Sequence, residues 1–397
     1  MSLKILILNY EYPPIGGGGG VISKHIAEGL CGLGYETTVI TTWIKGELEL
    51  ENELGWPTVV RLKSKRENNY RSNPIEMLSW ISAAKKYLSI FLLTNTIDLC
   101  FANFALPGGE VALYVKRRFN IPYVLISHGH DIPWVRPLDH LIVYHAITYN
   151  RIKKICLNSE INFMQSNLMK SNIDKFLGPE YHNKNVVISN GVDVEKFKPK
   201  MKSENQTFNI VFVGRLVTQK DPAILLKAVR QLAMRTLKYE LNIYGDGPLR
   251  KELQTMCVNY GISDCVKFHG KIEEDEMPEV YENASLLVAP SRSEGMSISI
   301  LEALATGLYV LTTPVSGNNE LIVDGENGEL LEIGNDKVFA ERIYNFYHSK
   351  FKMSFEVDQK VLSDLRMHRN WVSMIDQYDR QIRRTYSKVV ADLQVPT

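Results

Sequence analysis

This sequence is poor in the features that mark exported, membrane-spanning and nucleic-acid-binding chains. Its five cysteines, Cys31, Cys100, Cys156, Cys257 and Cys265, form no C-x-x-C pair and no cluster with histidine. That excludes a disulfide framework and a thiolate metal site of known spacing, and the thiols read as reduced core residues in a reducing compartment. No apolar run is long enough to cross a bilayer. The uncharged apolar stretch Tyr87 to Ile97 is about half of the roughly 20 residues required. The opening MSLKILILNY is too short an apolar run for a signal peptide and reads as a first strand, so a cytoplasmic location is expected. Excess charge of one sign is missing too. With 46 Lys and Arg against 45 Asp and Glu, no global field draws the chain to nucleic acid. No Asp-x-Asp triplet and no low-complexity tract is present.

What the chain does have is length and alternation. At 397 residues it exceeds one ordinary core, and 45% apolar with 23% charged residues is a globular profile. Short apolar strands at Lys4 to Leu8, Thr37 to Thr41, Ile97 to Ala102, Pro122 to Ile126, Ile155 to Leu157 and Val186 to Ser189 are expected, with a helix at Val21 to Leu33 after the first. Asn190-Gly191 and the charged stretch around Pro199 break this series. A second series follows: strand Phe208 to Val213, helix Pro222 to Ala233, strand Glu240 to Tyr244, helix Leu249 to Tyr260 and strand Val266 to Phe268. Alternation of this kind predicts an α/β protein with two doubly wound, Rossmann-like parallel-sheet domains in tandem, residues 1–199 and 200–370. A last helix is expected over roughly Asn370 to Val390.

Four segments carry candidate chemistry. In PSRSEGMSISILEALATG, a strand over Ser285 to Ala289 ends at Pro290, and a helix runs from about Ser297 to Ala305 with Gly307 as its stop. Glu294 lies before that helix and Glu302 within it, so two carboxylates flank a helix start that suits phosphate. A plainer reading is a Ser299–Glu302 capping box and a solvated Glu294. In GRLVTQKD, Arg215 and Lys220 follow a strand directly; one fork and one point charge there can neutralise a diphosphate, or can simply be solvated. The run Gly16 to Gly20 sits between the first strand and first helix, where backbone can approach a ligand closely. His128, in LISHGHDIPW, ends a strand with His130 and Asp131 nearby; such a histidine can hydrogen-bond a sugar or phosphate, or only its own loop.

These strings resemble the signature of family 4 retaining glycosyltransferases, the glycosyl transferases group 1, whose fold is GT-B. The likeness spans most of the chain and is strongest from Val211 to Leu331, with IYGDGPLRKEL, FHGKIEEDEM and VSGNNELIVDGENGELL adding to it. Asp221 stands where glycine is usual, Met296 where an aromatic residue is common, and Tyr309 where a proline is common. The resemblance implies two domains facing across a cleft, the C-terminal helix 371–397 returning to the first. It implies a nucleotide diphosphate sugar as donor, UDP-sugars favoured on family frequency, and a glycan, lipid-linked or small-molecule acceptor, as in bacterial envelope polysaccharide or glycoconjugate synthesis. It assigns catalysis to His128, Glu294, Arg215 and Lys220. Donor binding falls to Gly17, Gly18, Arg215, Lys220, Lys271, Ile272, Glu294, Gly295, Met296, Ser297, Ile298 and Glu302, with no metal and no cofactor. Basic stretches at Val115 to Phe119 and Tyr149 to Ile155 leave open peripheral contact with the inner face of a membrane. Oligomeric state is not encoded in any motif.

A nicotinamide-dependent oxidoreductase fails on spacing. From Gly16 the third glycine of G-x-G-x-x-G falls at Val21, from Gly17 at Ile22, and Thr41-Thr42-Trp43 stands where an acidic residue is needed. A sugar-nucleotide epimerase of similar fold and a non-catalytic sugar-nucleotide sensor stay open.

Overall fold

The strands expected from apolar runs assemble into two separate sheets in the computed structural model, which describes residues 2–67, 72–129, 131–133, 142–199, 207–235, 237–351 and 359–394. The chain divides into two compact units: residues up to Ser189 together with those from Val372 onward, and Asn190–Trp371.

The sheet of the first unit contains β1 (Lys4–Leu8), β2 (Glu36–Thr42), β3 (Leu50–Glu51), β4 (Thr58–Leu62), β5 (Leu99–Asn103), β6 (Tyr123–Ile126), β7 (Asn162–Met164) and β8 (Asn185–Val187). Their order is β3-β4-β2-β1-β5-β6-β7-β8, parallel except for the β3–β4 pair. β5 and β6 are buried at every residue, as two helix-covered faces demand. The helices are α1 (Gly18–Gly32), α2 (Pro74–Thr94), α3 (Glu110–Phe119), α4 (Ile142–Asn158) and α5 (Asn167–Leu177). A reciprocal capping box starts α2: Glu76 N donates to Asn73 Oδ1 and Asn73 N to Glu76 Oε2, both at 2.9 Å, with Pro74 in the first helical position.

Two expectations are corrected here. Ile155 to Leu157 is not a strand but the last turn of α4, and the strand after it is β7, whose three residues are too few to show a period. Helix α1 begins at Gly18, not Val21, so glycines form its first turn without any side-chain cap. Close packing is the reason. A Cβ on Gly19 would stand 2.8 Å from Phe104 Cζ and 3.3 Å from His128 Cγ, and one on Gly20 would stand 3.1 Å from the carbonyl oxygens of Glu11 and Ile15.

The second unit holds β9 (Asn209–Val213), β10 (Glu240–Tyr244), β11 (Val266–Gly270), β12 (Leu286–Ala289), β13 (Tyr309–Thr312) and β14 (Gly328–Leu330), ordered β11-β10-β9-β12-β13-β14 and parallel throughout. Its helices are α6 (Pro222–Ala233), α7 (Arg250–Tyr260), α8 (Met277–Glu282), α9 (Ile298–Ala305), α10 (Asn318–Leu321), α11 (Asp336–Phe346) and α12 (Gln359–His368). The division falls ten residues earlier than the charged stretch around Pro199 predicts. Val192 bridges to Asn370, and Val192 and Phe197 are buried in the second unit's core with Tyr281 and Leu301, so residues 190–199 belong there by packing.

The last helix, α13 (Trp371–Gln394), lies mostly with the first unit. Tyr378 is wholly buried with its ring 5.5 Å from Phe101 and 5.0 Å from Phe163, both edge-on. Ile375 occupies the space a side chain on Gly29 would need, and Tyr386 Oη donates to Asp98 at 3.1 Å.

Candidate functional site

In parallel α/β sheets, chemistry collects where loops leave the carboxyl ends of strands. Two such clusters contain the residues singled out by sequence, one in each unit.

In the second unit, β9 and β12 are neighbours, and the loops leaving them are stitched together. Arg292 N donates to Gln219 O at 2.8 Å, Gln219 Nε2 to Ser293 O at 2.9 Å, and Arg292 Nε to Asp221 Oδ2 at 2.7 Å. At the centre Lys220 Nζ meets Glu294 Oε1 at 2.5 Å, and Ser291 Oγ donates to the same oxygen at 2.7 Å. Lys220 and Glu294 are therefore brought together, and Glu294 is buried, not solvated as the plainer reading has it. Among the described residues both hydrogen bonds to the Glu294 carboxylate go to Oε1.

Arg215 sits in the same loop, whose backbone is fixed by Leu216 N donating to Asp246 O at 2.9 Å and Gly214 N to Tyr244 O at 3.0 Å. Gly245 and Gly247 make that contact sterically feasible, since a Cβ on Gly245 would lie 2.0 Å from Gly214 O and one on Gly247 2.5 Å from Leu216 O. The glycine-proline turn thus supports the Arg215 loop. Asp221, at the position where glycine is usual, adopts the left-handed conformation with φ +45° and ψ +49°. Burial raises the Asp221 carboxyl above the ordinary range, against the lowering effect of Arg292.

The segment Gly295–Met296 is held by Gly317 N donating to Gly295 O at 2.9 Å and Asn190 Nδ2 to Met296 O at 3.0 Å, with Met296 buried. Helix α9 then starts with Ser297 as its N-cap and Ile298 as its first residue. The Ser299–Glu302 capping box of the plainer reading does not form. Ser299 Oγ instead pairs with Ser297 Oγ at 3.0 Å, and Glu302 turns to Tyr281, whose hydroxyl donates to Oε2 at 2.8 Å. Burial raises the Glu302 pKa to about 7, Tyr281 opposing it. Lys271 is exposed just past β11, and Ile272 packs against the Val211–Leu287 core.

In the first unit, three adjacent strands each deliver one group at their ends: Asn103 from β5, His128 beyond β6 and Gln165 after β7. Gln165 Nε2 donates to His128 Nδ1 at 2.8 Å, so the ring proton sits on Nε2 and is given to Asn103 Oδ1 at 3.0 Å. Burial lowers the His128 pKa to about 3, which keeps the imidazole neutral. Its ring lies 4.6 Å from that of Phe104, a residue at φ +64°, and beside the glycine turn that opens α1 with Gly17 as cap and Gly18 as first residue. Asp131 is spent on structure. Ser127 Oγ at 2.7 Å and His128 N at 3.0 Å share its Oδ1, and Ala105 N reaches Oδ2 at 2.8 Å. His130 falls outside the described residues.

Sequence reasoning missed Asn103, Gln165, Tyr281, Ser291 and Arg292. Ser291 and Arg292 lie inside a segment already singled out, but nothing local marks Gln165 or Tyr281, whose roles depend on which elements become neighbours. Among the described residues no group of three or more His, Cys, Asp or Glu is placed to hold a metal ion, and no helix is long and apolar enough to cross a membrane.

Comparison with known proteins gives a consistent picture. The model described as Glycosyltransferase Family 4 matches residues 16–196, and that described as Glycosyl transferases group 1 matches 193–360. An uncharacterized glycosyltransferase of Methanocaldococcus jannaschii is 28% identical over 350 residues, 88% of this chain and 89% of the relative. The D-inositol 3-phosphate glycosyltransferase of Frankia alni is 26% identical over 369 residues, 82% of this chain and 85% of the relative. Among solved structures, sucrose-phosphate synthase from Thermosynechococcus elongatus superimposes with TM-score 0.85 at 17% identity, covering 98% of this chain and 100% of that one. Anabaena HepE in complex with UDP and glucose gives 0.75 at 18%, covering 96% and 100%.

Proposed function

The chain belongs to the family 4 glycosyltransferases, with their GT-B fold, and on that premise we propose that it moves a sugar from a nucleotide diphosphate sugar to an acceptor hydroxyl with retention of anomeric configuration. The observation that carries this reading is the stitched pair of loops at β9 and β12, which holds Lys220 against a buried Glu294.

A carboxylate and an ammonium so placed are poised for a ligand that is anionic at one end and hydroxylated at the other. When a diphosphate enters, Lys220 and Arg215 turn to its oxygens and take up the charge that grows as the glycosidic bond breaks. Glu294 is then left to accept from sugar hydroxyls. Glu302, at the far side of the α9 start, accepts from ribose hydroxyls once ionised. Backbone amides of Gly295, Met296, Ser297 and Ile298 face the phosphates, while Lys271 and Ile272 offer backbone to the base. In the first unit Gly17 and Gly18 present helix-start amides. His128 is a neutral hydrogen-bonding group that exchanges its Asn103 bond for a sugar hydroxyl. No protein carboxylate is assigned as nucleophile, so attack and departure occur on one face, with the leaving phosphate accepting the acceptor's proton.

These cations do the work a divalent metal does elsewhere, so transfer is proposed to be metal-independent and to need no cofactor. The favoured donor is a UDP-sugar, in keeping with the UDP and glucose in the HepE complex. The acceptor is a glycan, lipid-linked or small-molecule hydroxyl. Relatives named for colanic acid biosynthesis and for inositol phosphate support that range, the first pointing to envelope polysaccharide.

Two measurements test the proposal together. Thermal stabilisation by UDP, GDP and ADP ranks the bases, since bound ligand raises stability by mass action. NMR of the first-formed linkage then reads the anomeric outcome; an inverted product, or a covalent adduct trapped on Glu294, overturns retention without a nucleophile. Stabilisation by a sugar nucleotide with only epimerised donor, or with no turnover on any acceptor, favours the epimerase or sensor reading.

A further inference from the structure

Glu302 stands in the second turn of α9, past the positions where a carboxylate caps a helix, and a different element supplies its partner. Tyr281 Oη, on α8, donates to Glu302 Oε2 at 2.8 Å. The tyrosine is anchored by packing. It is 1% exposed, its ring meets Phe197 edge-on at 5.9 Å, and it shares a core with Leu301 and Leu304 of α9. Close packing of that kind fixes where the hydroxyl points. Glu302 itself is only half-buried, so it is not sealed into that core.

Glu110, in the first unit, shows what a neutral partner changes. Burial would raise its carboxyl, but Arg151 at 2.5 Å and Lys85 at 2.7 Å hold it below the ordinary range. The charge of Glu110 is spent inside the protein. Glu302 moves the other way: burial raises it to about 7, with Tyr281 opposing, Glu274 adding to the rise and Lys196 opposing. Lys196 is itself engaged by Asp275 at 2.8 Å. A carboxylate oriented by a phenol keeps its negative charge for a further hydrogen bond, whereas one paired with cations does not. The arrangement costs the ligand-free chain stability as pH climbs through 7, and groups kept at such a cost gather at ligand sites.

We infer that Tyr281 is a positioning residue for the donor's ribose: its hydroxyl aims the Glu302 carboxylate at the ribose hydroxyls and so sets how strongly the chain prefers a ribonucleotide to its 2′-deoxy counterpart. The inference rests on the ribose role proposed above for Glu302. Tyr281 acts through that carboxylate and not by touching the ligand.

The test is calorimetric binding of UDP, GDP and ADP, each beside its 2′-deoxy form, to the full chain at pH 8, where Glu302 is ionised. A hydrogen bond to a charged group is worth a factor of about 10 to 100, so the wild-type chain should prefer the ribose form by about that ratio. Tyr281→Phe removes one oxygen and keeps the packed ring. It should cut the ratio to about threefold, the value of a weaker, misaligned bond, and leave 2′-deoxy binding nearly unchanged. Glu302→Gln should lose the same preference, and the double variant should lose no more than Glu302→Gln alone, because the tyrosine then has no carboxylate to aim. Phe197→Leu, which loosens the ring and keeps its hydroxyl, should lower the ratio by a smaller factor and serves where Tyr281→Phe does not fold. A wild-type ratio in either Tyr281→Phe or Phe197→Leu, equal weakening of the ribose and 2′-deoxy forms, or additive losses in the double variant overturns the inference. If the wild-type chain binds none of the nucleotides, or binds both forms equally, the ribose role of Glu302 falls and takes this inference with it; if the wild type discriminates and Tyr281→Phe does so equally, only the inference falls.

Discussion

Asp221 offers a sharp test of the second unit's geometry, because its backbone and its side chain make separable demands. Its φ of +45° is the left-handed region, where a residue with a Cβ is strained by about 1 kcal/mol and Asp or Asn is tolerated better than most. Its carboxylate meets Arg292 at 2.7 Å, but that guanidinium is 42% exposed, so screening holds the pair to under about 1 kcal/mol. Asp221→Ala loses the pair and keeps the strain, and should cost up to about 1 kcal/mol. Asp221→Gly loses the same pair and relieves the strain, so it should be more stable than the alanine variant by about 1 kcal/mol, the reverse of the usual ranking of glycine and alanine. Asp221→Asn keeps the shape and isolates the charge. Urea melts of the full chain, compared at the transition of the second unit, supply the differences. If alanine proves as stable as glycine, the backbone at residue 221 is not left-handed, and the reading of this position fails.

Other consequences follow from the same clusters. Lys220→Ala and Arg215→Ala should lower kcat by an amount equivalent to about 2 to 4 kcal/mol, with little change in donor affinity; a rise in KM alone would falsify the leaving-group role. Glu302 is raised by burial to about 7 from an ordinary carboxylate value, so its contribution is most favourable below pH 4.5 and is lost as pH climbs through 7. Glu302→Gln should therefore raise the melting temperature of the ligand-free protein relative to wild type at pH 8 but not at pH 5, and an equal effect at both contradicts the shift. His128 is lowered to about 3, so its neutral ring stabilises fully above pH 6.5 and loses that contribution as pH falls toward 3. Ring ¹⁵N NMR should show a proton on Nε2 throughout pH 5 to 8; an imidazolium appearing near pH 6 refutes the assignment. Gly19→Ala should cost about 1 to 3 kcal/mol, because its Cβ meets the Phe104 ring at 2.8 Å, and a neutral substitution would mean that α1 starts elsewhere.

In the second unit β9 to β12, α6, α7 and α9 were legible in the sequence because strong signals bound them, whereas α8, β13, β14, α10, α11 and α12 were not expected. Helix Pro222–Ala233 and strand Glu240–Tyr244 fall on the expected residues, the one opened by proline and the other set between polar segments. The first unit was harder to read. β3 and β4 are short and polar at their edges, β7 has three residues, and α4 hides its last turn in an apolar run that resembles a strand. The glycine run misled in an informative way. Glycine has poor helix propensity, yet here it starts a helix because packing against Phe104, His128 and the Glu11–Ile15 segment leaves room for nothing larger.

The same contrast governs the candidate site. Lys220, Arg215, Glu294 and Glu302 could be named because each lies in a loop or helix start whose local sequence already fixes its position at a strand end. What could not be named were the partners that set their chemistry. The proton on His128 is placed by Gln165 and received by Asn103, residues that meet only because β5, β6 and β7 are adjacent in the sheet. Glu302 is shifted by burial beside Tyr281, a contact between α8 and α9 that leaves no periodic trace. Asp221 is the instructive intermediate case. Its departure from glycine was visible in the sequence, but its setting was not, since the Arg292 that reaches its carboxylate comes from the neighbouring loop. A departure from a family pattern at a strained position is therefore best read together with the residue its side chain meets, and here that residue lies two positions before the catalytic glutamate proposed for this chain.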